Sequence, residues 1–484
     1  MNADDPRARS DRIPGYDPRK GFVLGAKLAR YQRAARVWGD TMVLPEKNRL
    51  DPQSTKRVAI VGAGISGLSA AYYASTKARW DVTVFEASPR LGGHAHSHAM
   101  NDSLGYSFVV DTGFIVFNDR NYPNFRAILH ELNVAPHPTE MSFSVSLPVA
   151  GQRGGFEYNG GSLGGLFAQR RNIVSYKYWK LLKEILRFNR LAKISRTDNQ
   201  ALEQTMGDWL DHHGFDTWMV RRYLLPLAGA VWSMSPERVR DFPIQSLFHF
   251  LDNHGLLDLS RRPQWFSLHG GSETYVKALA LATPADFRTD LPVSRVTPGD
   301  GGVEVECVDG SSERFDAVIL ACHADEALAL IYQPDSLEAS VLGAFEYSEN
   351  QVVVHSDPSW MPVRRSAWAS WNYVGAGDGE NSPIAVSYWM NGLQRLNTDD
   401  LMVVTLNPGS LPRDVHLQVN YRHPQFDLKA FSAQQRREEI QGHRNLWYAG
   451  AHWRWGFHED GVVAAIWALR DMGVSVPLLG EMEA

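Results

Sequence analysis

Residues 57–93, RVAIVGAGISGLSAAYYASTKARWDVTVFEASPRLGG, decide the fold. Val58, Ala59, Ile60 and Val61 form an unbroken apolar run that stops at Gly62, the pattern of a strand covered on both faces of a parallel sheet. Gly62, Gly64 and Gly67 then spell G-x-G-x-x-G, and Leu68 to Ala78 continues in Ala-rich helical sequence. The first glycine allows a tight turn, the second lets the backbone approach a pyrophosphate, and the third lets helix and strand pack closely. Ile65 and Ser66 fall at the start of the helix, where unpaired N–H groups and the helix dipole favour a phosphate. Val82, Val84 and Phe85 lead to Glu86, about 20 residues past the last glycine, the place for a carboxylate that accepts hydrogen bonds from ribose hydroxyls. Glycines also mark ordinary turns, but strand, turn, helix, second strand and acid in this order specify a dinucleotide-binding unit.

That unit suits NAD and FAD equally, and the residues after it separate the two. Arg90, Leu91, Gly92 and Gly93 resemble the R-x-G-G continuation of the glutathione-reductase-like flavoproteins, which implies FAD with this segment running back over its diphosphate. Phe108 to Val110 lead into Asp111, Thr112, Gly113 and Phe114, similar to the D-x-G-x-x-x-F stretch of flavin amine oxidases and phytoene desaturases. The resemblance implies that Thr112 and Gly113 pass beside the flavin ring. His94 stands where amine oxidases often carry arginine, and is expected to approach the diphosphate or the ring. His94, His96 and His98 alternate, which in an extended segment puts them on one side. With no carboxylates or cysteines clustered nearby to complete a ligand set, no metal site is expected.

At 484 residues the chain has room for two domains and a sizeable core. A net charge of −5 gives no general case for nucleic-acid binding. Two cysteines, Cys307 and Cys322, are too few for a disulfide framework and fit a reduced, cytoplasmic setting. No apolar run reaches the roughly 18 residues of a membrane span, so any membrane contact is expected at the surface.

Residues 1–56 read as a basic arm, either packed on its own domain or offered to a membrane or partner. From about 140 to 264 aromatics and helical periodicity take over. The segment 170–196 interleaves Arg and Lys with Ile173, Val174, Tyr176, Trp179, Leu182, Ile185, Leu186 and Leu191. Such a helix can lie on anionic lipid, or pack as a core helix with a solvated back. Residues 269–276 form a turn feeding a helix, similar to the G-G element of the same flavoproteins. Val296 lies in a short strand that by resemblance touches the adenine end through its backbone. Residues 315–321, FDAVILA, read as another buried strand. Strand-like runs at 351–355, 367–373 and 384–390 carry Trp371 and Tyr373.

Near the C-terminus a strand, Leu446 to Gly450, and the loop Trp453 to Gly461 open a helix over 462–472. This resembles the C-terminal FAD motif of the family, implying cofactor contacts from Gly450, Gly461 and Val462 and a helix N-terminus near the flavin pyrimidine end. Its dipole would favour negative charge there. Ala451 and His452 stand where relatives often carry an acid toward the ribityl chain. Phe457 occupies the place of a cage tyrosine in monoamine oxidases, and with no cysteine nearby the FAD is expected to lack a cysteinyl bond. His458 and Glu459 are the candidate bases beside the flavin; Glu459 is equally a helix N-terminal acid.

Taken over 57–475, these motifs resemble the flavin amine oxidase and phytoene desaturase superfamily. More narrowly, GGHAHS, DTGFIVFN, SWNY, SYWMN, VTLNP and GFHEDG look like the amine-oxidase-like FAD/NAD(P)-binding proteins associated with cyclopropane-fatty-acyl-phospholipid synthase-type methyltransferases. The implied fold is α/β with an α+β second domain: a Rossmann-like FAD-binding domain of glutathione-reductase type (57–140, 265–330, 441–475) and a discontinuous substrate-binding domain (141–264, 331–440), with a tail at 476–484. No second G-x-G-x-x-G occurs, so electrons are expected to come from the substrate and leave to oxygen or another acceptor. The expected reaction is removal of hydride from an apolar substrate, a fatty-acyl or related lipid chain. The alternatives are an amine oxidase with Phe457, Trp371 and Tyr373 as pocket walls, and a non-catalytic flavoprotein partner of a lipid methyltransferase.

Overall fold

The computed structural model describes residues 55–149, 152–195, 204–232, 240–241, 244–253, 255–257, 262–375 and 384–480. All but Leu478–Gly480 belong to one compact unit, Pro45–Pro477. The second unit, Met1–Leu44 with Leu478–Ala484, is otherwise outside the described residues. So is the basic arm expected at 1–56, apart from Lys56 and its neighbour Thr55, and the end of the expected tail beyond 480.

Arg57–Val61 is the middle strand of a five-stranded parallel sheet, in the order Asp286–Arg288, Asp81–Phe85, Arg57–Val61, Ala317–Leu320, Leu446–Tyr448. Val58, Ala59 and Ile60 are fully buried, as an apolar run with both faces covered requires. The helix Ile65–Lys77 comes after the glycine turn, and the closing helix His458–Asp471 packs against it. Gly461 sits at this contact: a Cβ there would lie 2.7 Å from Ile65 Cγ2 and 2.8 Å from Ser66 Oγ.

A seven-stranded sheet runs in the order Val415–Gln425, Glu346–His355, Val403–Leu406, Ile384–Trp389, Trp371–Gly375, Phe143–Val149, Gln152–Asn159. Neighbours are antiparallel except Trp371–Gly375 with Phe143–Val149. The parallel sheet draws its strands from 57–140, 265–330 and 441–475, whereas this one draws them from 141–264 and 331–440. One end packs under helices: Val145, Leu147, Phe156 and Tyr373 share a core with Tyr178, Phe188, Trp209 and Phe248. The other end packs on the hairpin Ser97–Asn101/Ser107–Asp111, joining Val352, Val354, Val404 and Tyr421 to Phe108 and Val110.

Three elements differ from the sequence reading. The strand expected from 367 starts at Trp371, because Arg365–Ala367 is a single 3-10 turn and Asn372 Oδ1 takes the Ala369 N–H at 2.9 Å. The 11-residue strand Val415–Gln425 was not anticipated; polar residues and Pro424 hide its alternation. The closing helix begins at His458 rather than Val462, because Asp460 accepts from the N–H groups of Phe457 (2.8 Å) and Trp455 (3.2 Å) and so closes the loop into a helical first turn. Among the described residues no helix is long and apolar enough to cross a membrane.

Candidate functional site

The C-terminal ends of Arg57–Val61, Ala317–Leu320 and Leu446–Tyr448 open on one side of the parallel sheet, where ligands of such sheets bind. Gly62 turns the chain with φ +100°. A Cβ at Gly67 would lie 1.8 Å from Gly62 O, whereas at Gly64 the nearest atom is Gly93 Cα at 3.9 Å, so a methyl at the middle glycine meets no more than ordinary van der Waals contact. The 13-residue helix beyond them has no side-chain cap and no acid in its first turn, although Ile65, Ser66 and Gly67 are buried. Buried N-terminal amides left without a capping group await an anion. Glu86 is held over this turn, its carboxylate accepting from Ala63 N (2.7 Å) and Ser88 N (2.8 Å).

The second glycine turn lies on the first. Gly92 N donates to Ala63 O (2.8 Å), and Gly92 bridges Gly64. Arg90 braces it from beneath, donating to the carbonyls of Gly93 (2.7 Å), Ala95 (3.2 Å) and Leu91 (3.4 Å). Gly113 closes against the same segment: a Cβ would meet His94 O at 2.1 Å, and Phe114 N donates to that carbonyl at 2.9 Å. Thr112 joins a polar chain, His98 to Thr112 Oγ1 (3.0 Å), then Tyr421 Oη (2.6 Å), then His96 Nδ1 (3.1 Å).

The three alternating histidines do not stay together. His96 and His98 have ring centroids 3.9 Å apart, while His94 turns the other way, 5.1 Å from Tyr421, 5.5 Å from His423 and 6.1 Å from His323. Burial pushes His94 down to about 4, His323 to about 4, and His423 and His452 to about 3, so all four rings are neutral at ordinary pH. His94 Nε2, His323 Nδ1, His452 Nε2 and Trp453 Nε1 are buried without hydrogen-bond partners. Buried polar atoms are nearly always paired. Uncapped amides, an acid over the glycine turn and a row of neutral imidazoles fit a dinucleotide with a polar heterocycle. The residues that would hold FAD are therefore Gly62, Gly64, Ile65, Ser66, Gly67, Glu86, Gly92, Gly93 and His94, with His323 and His452 added. His452 stands where the expected acid is missing.

Other expected residues take different places. Val296 is buried and its carbonyl accepts from Tyr332 N at 2.8 Å, so its backbone is spent on packing. Val293 of the same strand pairs with Cys307, and Leu291 before it donates its N–H to Glu86 O at 3.0 Å. Gly461 packs helix on helix and Val462 is fully buried behind it. Gly450 ends its strand against the His452 ring. His458 stacks on Phe114 (3.7 Å between centroids), bonds Tyr275 Oη at 2.6 Å and is pushed down to about 3 by burial. Glu459 turns to the neighbouring helix Pro123–Glu131, where Oε1 accepts from Asn124 N (3.0 Å) and Nδ2 (2.6 Å) and Oε2 from Phe125 N (2.9 Å). It serves as that helix's cap, and burial raises it to about 7. Tyr373 and Phe457 meet in one apolar cluster with Phe426 and Phe431, while Trp371 has Tyr388 as its ring neighbour at 5.5 Å.

Sequence reading named Asp111 only as part of its motif and missed Tyr421, His323 and His423. Asp111 is buried and gathers Ser97 Oγ (2.5 Å), Ser272 N (2.9 Å), Ser272 Oγ (2.8 Å) and Gln394 Nε2 (2.7 Å), tying together the hairpin, the Gly270–Gly271 turn and the segment that follows Ile384–Trp389. The spacing of Leu417, Val419, Tyr421 and His423 by twos was the available signal for that strand.

The family model for flavin containing amine oxidoreductases matches residues 65–359, more than half of the chain. The chain belongs to that family. Membership implies a flavin, in keeping with the donor set above. Protoporphyrinogen oxidase 2, chloroplastic/mitochondrial, of Arabidopsis thaliana is 48% identical over 54 residues, 11% of this chain and 10% of that protein. Carotenoid phi-ring synthase of Streptomyces griseus is 26% identical over 291 residues, 54% of this chain and 52% of that protein. The chain thus spans between a tenth and about half of the length of the curated relatives it matches. Among solved structures, the CLA-producing fatty acid isomerase from P. acnes superposes with a TM-score of 0.62 at 15% identity, over 86% of this chain and 98% of that one. That likeness establishes the fold: a Rossmann-like FAD-type domain with a separate substrate region.

Proposed function

We propose that this family member removes hydride from an apolar substrate, a fatty-acyl or related lipid chain, with the electrons passing to oxygen or another acceptor. The observation that carries this reading is the cluster of rings on which the loop before the closing helix packs. Phe457 and Tyr373 lie in one cluster with Phe426 and Phe431, Trp455 stands 5.5 Å from Phe431, and Gly456, at φ +85°, is pressed against the Phe426 ring. An aromatic cluster beside the helix that would meet the cofactor favours a substrate with apolar surface. The relatives named for a fatty acid and a carotenoid support the same class.

When bound, the flavin supplies the hydride acceptor. The chain's own part is to hold the substrate against the rings and to keep water out. His458, already bonded to Tyr275, and Glu459, already bonded to Asn124 and Phe125, are occupied as structural groups. Among the described residues, His94 Nε2, His323 Nδ1, His452 Nε2 and Trp453 Nε1 have no hydrogen-bond partner and stay available.

The test is anaerobic incubation of purified holoprotein with fatty acids and a phospholipid extract and, separately, with an amine panel, with the visible flavin absorbance as the readout. Bleaching by lipid is expected. Bleaching by amines alone would overturn the lipid reading in favour of imine-forming oxidation with Phe457 and Tyr373 as cage walls.

A further inference from the structure

The segment 170–195 resolves into a 3-10 turn, Arg170–Val174, and a 20-residue helix, Tyr176–Ser195. One stripe of the helix, Tyr178, Leu181, Phe188 and Ala192, is buried in the core that also contains Tyr373 and Phe426 and onto which Phe457 packs. A core role accounts for that stripe and for nothing on the opposite side. There Val174 is 87% exposed, Tyr176 82%, Ile194 62%, and Ile173, Trp179 and Leu186 each 51%. Trp179, Lys183, Leu186 and Arg190 succeed one another at four- and three-residue spacing, a single outward stripe of alternating ring, cation, aliphatic and cation. Trp179 Nε1 donates to Ile173 O at 2.8 Å, which fixes the exposed turn to the helix edge.

Charge decides what this face fits. Between 170 and 195 there are eight Lys or Arg, and Glu184 is the single acid, bonded to Arg187 at 2.9 Å, in a chain of net charge −5. Nucleic acid would engage the cations but leave Ile173, Val174 and Leu186 in water. A bilayer with anionic headgroups satisfies both sets, apolar groups and the tryptophan entering the headgroup layer while cations meet phosphate.

We propose that Arg170–Ser195 is a peripheral docking face for an anionic phospholipid surface. It deepens the lipid-substrate reading and rests on it for its purpose: the helix that meets the membrane carries on its back the core that reaches Phe457. The test is sedimentation of holoprotein with vesicles of phosphatidylcholine alone and of phosphatidylcholine mixed with anionic phosphatidylglycerol, whose negative surface potential attracts basic residues. Binding is expected only to the anionic vesicles and is reversed by salt. Lys183→Glu with Arg190→Glu should weaken partition by about fivefold for each charge removed, and Ile173→Ser with Val174→Ser should weaken it without changing the salt response. Equal binding to both vesicles, no binding, or binding unchanged in the Lys183→Glu, Arg190→Glu protein would overturn the proposal, as would the same residues governing binding to duplex DNA but not vesicles. Flavin bleaching by fatty acid in neutral detergent micelles needs no docking, so it reads the substrate assignment separately.

Discussion

Two glycines three residues apart, Gly64 and Gly67, carry opposite demands, and substitution separates them. Gly67→Ala places a methyl 1.8 Å from a carbonyl oxygen that cannot move without breaking the turn, so the protein should fail to accumulate in folded form. Gly64→Ala meets nothing closer than 3.9 Å, so the apoprotein should melt like wild type while bound flavin, read as visible absorbance per protein, falls sharply. Equal loss of folding in both would mean that Gly64 serves the backbone rather than the ligand. Glu459 offers a second residue-scale test. Glu459→Ala removes the carboxylate that accepts from the Asn124 and Phe125 amides at the start of Pro123–Glu131, a cost of about 1–3 kcal/mol. Because burial raises this carboxyl from 4.5 to about 7, the native state keeps a proton that the unfolded chain gives up, and stability contributed by Glu459 falls as pH rises across that interval. Urea titrations across this range should show that component of the slope disappear in the variant; an unchanged slope would assign it elsewhere.

At the scale of elements, the closing helix is the part that joins nucleotide turn to substrate wall. Its Gly461 touches Ile65 and Ser66, its Asp460 ties down the Trp455–Phe457 loop, and its Glu459 caps Pro123–Glu131. Gly461→Val should push this helix from the first turn of Ile65–Lys77, and the expected readout is weaker flavin retention on gel filtration with far-UV helicity preserved. Full retention would show that the two helices tolerate separation. The nucleotide element was legible because a buried strand, a glycine turn and a terminal acid are all local features of the chain. The closing helix was read four residues short, since the groups that settle its start are a carboxylate and two amides within a loop with no apolar period. Val415–Gln425 was missed for a related reason: only Tyr421 of its residues is buried, so its alternation is faint.

Across the whole molecule, many imidazoles are held neutral by burial. His94, His323, His423, His452 and His458 all lie at about 3 to 4 against an ordinary 6.5. The unfolded chain takes up protons on them below 6.5 and the native state does not, so their contribution is full above 6.5 and is lost as pH falls toward 4. Glu459 and Asp111, raised to about 7 and about 6, oppose this. His96 and His355 are lowered to about 4 as well, so the depressed imidazoles outweigh the two raised carboxyls and stability falls on acidification. Denaturant midpoints should therefore fall from pH 6.5 to 5, while folded protein keeps its flavin until the pH nears the values at which His94, His323 and His452 take up protons. A midpoint that is flat or rises on acidification would show that these rings are protonated in the native state.

What the sequence by itself determined was the nucleotide unit, its glycines, Glu86, and through the recurring motifs the family and the order of segments. Each depends on backbone geometry that only particular residues permit within a few positions of one another. What the tertiary structure alone decided was which distant side chains share a cleft. His323 comes after one strand, His452 after another, and His423 lies in a third, and only the order of strands in two sheets brings His323 and His423 beside His94 and His452 near His323. Val296 and Glu459 turned to packing and capping for the same reason, since their partners, Tyr332 and the Asn124 and Phe125 amides, are set by folding rather than by spacing.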